Sequence, residues 1–332
     1  MKSGRNHSQR RRKCRFALAL LAALLGLATT AGVAWALYTD SVASDGNELV
    51  AAADWAAPSA SASVIAKSQG GVPGYIRQGG AYMVYANVGD SGAPASGIAS
   101  VTANASAITT GQSAAALSSG SFAAGGVAYS HRSGALTANG TLAAGTYSYS
   151  LTSKDVVGNS RTQGGYPVIV DNTAPTATDI QAANKTGGTV GRAEVGDSIT
   201  YTFSEPIDPQ SILVNWTGAA TSVVVRVTNA TGDPLTVYNA TNSTQLPLGS
   251  VNLGRNEYVA ASATFGASGT ASTMVQSGNS ITITFGTASS GPATAGSTGT
   301  MSWTPSASAY DRAGNAETTT ARAETGSADR EF

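Results

Sequence analysis

Three stretches of this chain alternate polar and apolar residues one by one, and that pattern leaves few folds open. Thr146-Tyr147-Ser148-Tyr149-Ser150-Leu151-Thr152 puts Tyr147, Tyr149 and Leu151 on one face and the Ser and Thr residues on the other. Ser198-Ile199-Thr200-Tyr201-Thr202-Phe203-Ser204 and Ser280-Ile281-Thr282-Ile283-Thr284-Phe285 repeat the period of two. Such a strand covers a core on one side and meets water on the other. Long amphipathic helices need Glu, Lys and Leu, yet charged residues are only 11% of the chain. Short runs of Thr, Val, Tyr and Ile, broken by Gly, Asn and Pro, predict an all-β fold of many strands.

Further strands are expected at residues 61–67, 81–87, 98–103, 126–131 and 166–171, and later at 222–228, 235–238 and 299–304. Residues 266–278 and 288–298 are rich in small side chains and read as loops. Asp171-Asn172-Thr173-Ala174-Pro175-Thr176 separates the two sets. Pro175 has no N–H, and the residues before it favour extended or turn conformations. Each set ends in the same phrase, Asp155-Val156-Val157-Gly158-Asn159 and Asp311-Arg312-Ala313-Gly314-Asn315. The two aspartates lie 156 residues apart, about one domain. The expected organisation is a connector at 37–57, β-sandwich modules at 58–172 and 173–323, and a polar tail at 324–332.

Residues 1–36 stand apart. Lys2, Arg5, Arg10, Arg11, Arg12, Lys13 and Arg15 precede residues 16–36, which carry no charge. A basic segment, an apolar stretch and a small-x-small site describe an export signal. Ala34 and Ala36 supply the small residues, so cleavage is expected after Ala36. An uncleaved segment of this length would just cross a bilayer, and the membrane would then be touched through it alone. Cys14 leaves with the signal, so residues 37–332 contain no cysteine for a disulfide or a thiolate metal site. All seven basic residues of the signal leave too, and 12 basic residues then face 19 acidic ones, a net charge of −7. Dispersed negative charge argues against a nucleic-acid partner, because phosphate neutralisation needs clustered Lys and Arg.

Catalytic patterns are weak. Gly89-Asp90-Ser91-Gly92 has the form of a serine-protease nucleophile motif, but the only histidine before it is His7, inside the signal. His131 is the sole histidine after residue 36, too few for a zinc site. Glu205 and Asp208 are the one close acidic pair after a strand, and a hydrolase would need them together in a cleft. Asp155, Gly158 and Asn159, with Asp311, Gly314 and Asn315, read as structural turns, since Asp caps and Gly-Asn tolerates positive φ. Calcium would need more oxygens than these motifs offer alone. No enzyme activity and no cofactor are expected.

Two resemblances add to this reading. Tyr38-Thr39-Asp40, Gly46-Asn47 and Ala51-Ala52-Ala53-Asp54-Trp55 resemble the signal-proximal region of TasA/camelysin-type exported proteins. That implies processing by a SipW-type signal peptidase; the likeness covers roughly residues 20–55, and the rest departs from that family. Residues 173–323 resemble bacterial Ig-like domains repeated in cell-surface proteins, through Asn172-Thr173-Ala174-Pro175-Thr176, Phe203-Ser204-Glu205-Pro206-Ile207-Asp208 and Asp311-Arg312-Ala313-Gly314-Asn315. Residues 58–172 share mainly the first Asp-x-x-Gly-Asn phrase. The resemblance implies two tandem Ig-like β-sandwiches after an N-terminal signal helix, with a spacer, adhesive or envelope structural role.

The expectation is a bacterial protein, secreted or at the cell surface, monomeric, with a cell-envelope or extracellular component as partner. No apolar span follows Arg322 and no Leu-Pro-x-Thr-Gly sorting signal is present. The competing expectation is a carbohydrate-binding module using exposed aromatics. Solvent exposure of Trp216, Trp303, Tyr238 and Tyr258 separates the two.

Overall fold

The alternating segments become strands paired on both sides in the computed structural model, which describes residues 54–332. The signal segment, with Ala34, Ala36 and Cys14, lies outside the described residues. In the first module β1 (Ser59–Lys67) pairs with β3 (Ala81–Gly89), and the path continues through β6 (Val127–Ser133), β5 (Ala115–Ala124), β4 (Ile98–Asn104), β8 (Gly145–Asp155) and β9 (Ser160–Val170). The short β2 (Tyr75–Ile76) closes the path by a parallel pairing to β9, and β7 (Leu136–Thr137) adds to β3. Lettered A to G in chain order, the seven long strands run A-B-E-D-C-F-G, the order of an immunoglobulin-type sandwich with its two sheets joined between D and C. Across the sandwich, Ala60 exchanges two hydrogen bonds with the Gln163 side chain at 2.6 and 3.0 Å. Ser63 Oγ meets Tyr149 OH at 2.8 Å.

The second module repeats the path with an insertion. Its order is β10 (Ala177–Ala183), β11 (Ser198–Phe203), β17 (Ser280–Thr284), β16 (Ser272–Ser277), β12 (Thr221–Val227), β13 (Leu235–Asn239), β14 (Ser250–Asn252), β18 (Ser302–Thr304) and β19 (Arg322–Ala323). Here β13 and β14 separate the strands that pair directly in the first module, and β15 (Ala263–Phe265) sits on β12. One helical turn, α1 (Pro209–Ile212), follows Asp208, whose side chain accepts from the Gln210 N–H.

The period of two is realised as an inside and an outside. Ile199, Tyr201 and Phe203 of β11 are buried, as are Ile281 and Ile283 of β17. The register sets Thr200 opposite Thr282 on the outer face, where their hydroxyls lie 3.1 Å apart. Trp303 centres the second core, edge-on to Tyr201 and Phe203 at 5.1 and 5.0 Å, with its indole N–H donating to Leu248 O. The first core gathers around Ile65, Tyr82, Val84, Tyr149 and Leu151.

Two expectations are corrected. Residues 266–278, read as a loop from their small residues, contain β16, where Thr273-Met274-Val275 pairs with β17, Thr273 and Met274 also with β12, and Met274 is buried. Residues 324–332, read as a polar tail, are exposed from 325 to 330 but end in the second core: Phe332 is buried against Tyr258 and Phe285, with ring centroids 5.9 and 4.9 Å away. An aromatic side chain fills that core gap, and its burial outweighs the polar composition around it.

Candidate functional site

The two Asp-x-x-Gly-Asn phrases fold into turns with the same set of hydrogen bonds. Asp155 ends β8, and its Oδ1 accepts from the Gly158 and Asn159 N–H groups at 2.6 and 2.7 Å. Its Oδ2 accepts from Asn159 Nδ2 at 2.6 Å, and that amide also donates to Asp54 O at 3.1 Å. In the second module Asp311 Oδ1 accepts from Gly314 and Asn315 N–H at 2.6 and 2.8 Å, and Oδ2 from Asn315 Nδ2 at 2.8 Å. Asn315 Nδ2 then reaches Asp171 O at 2.9 Å. Gly158 and Gly314 have φ of +106° and +96°, which explains glycine at the fourth place of each phrase. Each turn thus ties the F–G connection to the entry of its own module.

These turns bring three carboxylates together in each module. Asp54, Asp90 and Asp155 offer oxygens within 4.8 Å of one another, and Asp171, Glu205 and Asp311 do the same. The first acid of each set precedes the first strand, the second follows β3 or β11, and the third belongs to the turn. The electrostatics differ. Backbone N–H groups of Ala56 and Ser96 hold Asp54 below the usual carboxylate range. Burial, reinforced by Asp171 and Asp311, pushes Glu205 up to about 7. Burial also raises Asp311, against the hydrogen bonds from its turn. Each set could supply three of the six to eight oxygens that calcium takes, but both oxygens of Asp155 and of Asp311 are already engaged by their turns.

A second constellation lies between the modules. Lys67, at the end of β1, places its ammonium on Asp208 Oδ2 and on Arg312 O, the latter at 2.8 Å. Both side chains are removed from water, at 4% and 0% exposure, so the pair has the character of a core contact. Asp208 Oδ2 also accepts from Val72 N–H at 2.9 Å. The ammonium stands 5.6 Å from the Tyr310 ring centre, and the Arg312 guanidinium 5.8 Å from that of Tyr75. Gly71, at φ +91°, lies so close to Asp208 that a Cβ there would collide with the carboxylate. The linker is fastened as well: Asn172 accepts from Gln78 N–H and donates to Leu142 O, both at 2.8 Å.

Comparison with protein-family models and with curated proteins gives no match. What the arrangement does is therefore read from its geometry.

The residues weighed for catalysis do not assemble. Glu205 faces Asp171 and Asp311, whereas Asp208 faces Lys67, Val72 and its own helix, so the acidic pair is split between two settings. Asp90 accepts from Gly97 N–H at 2.7 Å and shapes a turn, with Ser91 exposed beside it. His131 is buried in β6, where its Nδ1 meets Ser130 Oγ at 2.9 Å and burial lowers its pKa. Trp216, Trp303 and Tyr258 are buried, and Tyr238 lies under the Arg226 guanidinium at 3.6 Å. Of the tryptophans weighed for a sugar platform, Trp55 is exposed at 74% while Trp216 and Trp303 are buried. Sequence reasoning missed Lys67, Gly71 and Asp54 as junction or turn partners, and nothing in their local sequence signals a contact more than a hundred residues away.

Proposed function

We propose that this is an exported, non-catalytic protein of the cell surface or extracellular space, whose paired Ig-like modules act as a stiff spacer or adhesive structural element. The observation that carries the reading is the junction, where a buried Lys67–Asp208 pair and a fastened linker couple the modules in one orientation. A spacer transmits position only if its joints do not swing. Burial of Trp216, Trp303 and Tyr258 favours this role over a carbohydrate-binding module, which needs aromatic faces in water. The export signal, its TasA/camelysin-like surroundings and the Ig-like phrases support the extracytoplasmic setting. The partner is a cell-envelope or extracellular component, and the chain acts as a monomer.

N-terminal sequencing of exported material tests the first half of this reading, with a start at Leu37 expected and an intact Met1 counting against it. Light scattering and small-angle scattering of the exported protein test the second half. One chain per particle with a single inter-module distance is expected. A mass of several chains, or a broad distribution of distances, would refute the stiff monomer.

A further inference from the structure

The geometry points to a divalent-cation site at the far end of the second module, formed by Glu324, Asp329 and Glu331 and suited to calcium. One carboxylate oxygen from each lies within 4.8 Å of the others. The three grade from solvent inwards, with Asp329 exposed, Glu324 half-buried and Glu331 at 2% exposure, so an ion has both an entry and a buried seat. Glu331 supplies the observation that an acidic cluster alone lacks: its Oε1 is buried and has no hydrogen-bond partner. A buried carboxylate oxygen left bare costs the full desolvation of a charged group, so the structure carries an unmet demand at this point.

No protein cation meets it. Among the described residues, no Lys, Arg or His nitrogen lies within 4.0 Å of these carboxylates. Asp179, whose charge also acts on Glu324, is occupied by the N–H and hydroxyl of Thr325 at 2.9 and 3.1 Å. The Tyr258 hydroxyl accepts from Glu331 N–H at 2.8 Å, and Glu324 Oε1 accepts from Met301 N–H at 2.8 Å.

The donors are all carboxylate oxygens, without a nitrogen or sulfur ligand, which selects a hard ion. An irregular set that can bind through one or both oxygens suits calcium better than magnesium, which demands octahedral regularity and holds its waters. The backbone is already placed to profit. Glu324 N–H donates to Met301 O, Gly299 N–H to Asp329 O, and Gly191 N–H to Phe332 O, at 3.0, 2.8 and 2.7 Å. A bound ion would bind the last segment to the edge of β18 and seat Phe332 in the core.

Calcium chloride titrated calorimetrically into the full chain, with terbium luminescence excited through the adjoining Tyr258, tests the proposal. Saturable binding is expected, weakened at least about tenfold by Asp329→Asn and by Glu331→Gln. Asp329 is exposed, so its variant folds even if Glu331→Gln does not. Asp90→Asn and Glu205→Gln, in the other two clusters, are expected to leave the terbium signal in place. Magnesium is expected to bind more weakly. Absence of binding at millimolar calcium, binding untouched by Asp329→Asn, or a terbium signal abolished by Asp90→Asn or Glu205→Gln would overturn the site. Tighter binding of magnesium would overturn the assignment to calcium.

Discussion

At the scale of the residue, the turn aspartates show how one side chain can close a connection. Asp155 satisfies two backbone N–H groups and orients the Asn159 amide, which then reaches Asp54 O at the start of the module. Removing the carboxylate leaves those donors without an acceptor in a site shielded from water. Asp155→Ala is expected to lower stability by about 2–4 kcal/mol in urea unfolding followed by tyrosine fluorescence. Asp311→Ala should act alike, since its three accepted bonds match within 0.2 Å. A loss well below 1 kcal/mol in both would show that water replaces the carboxylate, and that the turn holds by its backbone.

At the scale of the element, the closing segment of the second module carries an unexplained acid. Glu317 N–H donates to Ala309 O at 2.9 Å, which turns the residue into the module, where both carboxylate oxygens are buried without a partner. Burial pushes this carboxyl up to about 8 from an ordinary 4.5. The folded state therefore holds a proton that the unfolded chain releases at lower pH. Its stabilising effect is complete below about pH 4.5 and is lost as pH rises to about 8. Glu317→Gln should remove this slope and raise stability at pH 8 by about 1–3 kcal/mol, read from thermal or urea midpoints between pH 5 and 8. An unchanged slope would place the buried proton elsewhere.

At the scale of the whole molecule, the junction decides whether two sandwiches behave as one body. Asp208 serves three elements at once: it caps α1, accepts from Val72 N–H and neutralises Lys67. Lys67→Met would leave that carboxylate buried with no counter-charge. A loss of about 3–5 kcal/mol is expected. Scanning calorimetry should show a single transition in the parent chain splitting towards two, as each module unfolds on its own. Retention of one sharp transition in Lys67→Met would assign the coupling to the linker instead. Gly71→Ala gives an independent probe, since its methyl would push Asp208 away without altering any charge.

The strands with strict alternation were legible without coordinates, because side-chain period and burial are local consequences of the pleat. Residues 198–204, 280–285 and 146–152 face the core as their polar and apolar residues dictate. The repeat of Asp-x-x-Gly-Asn likewise marked two modules with a common turn, since its hydrogen bonds join residues no more than four apart. Strands such as β5 and β10 were not legible: Ala, Ser, Gly and Asp have little strand preference of their own, and pairing with neighbours makes them strands. The same holds for the sites. The identity of Asp155 and Asp311 as turn formers lay in the sequence. The grouping of Asp54 with Asp90, of Lys67 with Asp208, and of Glu331 with Glu324 depends on which strand edges and ends meet. Local propensity does not encode contacts between distant residues; packing of two complete sandwiches decides them.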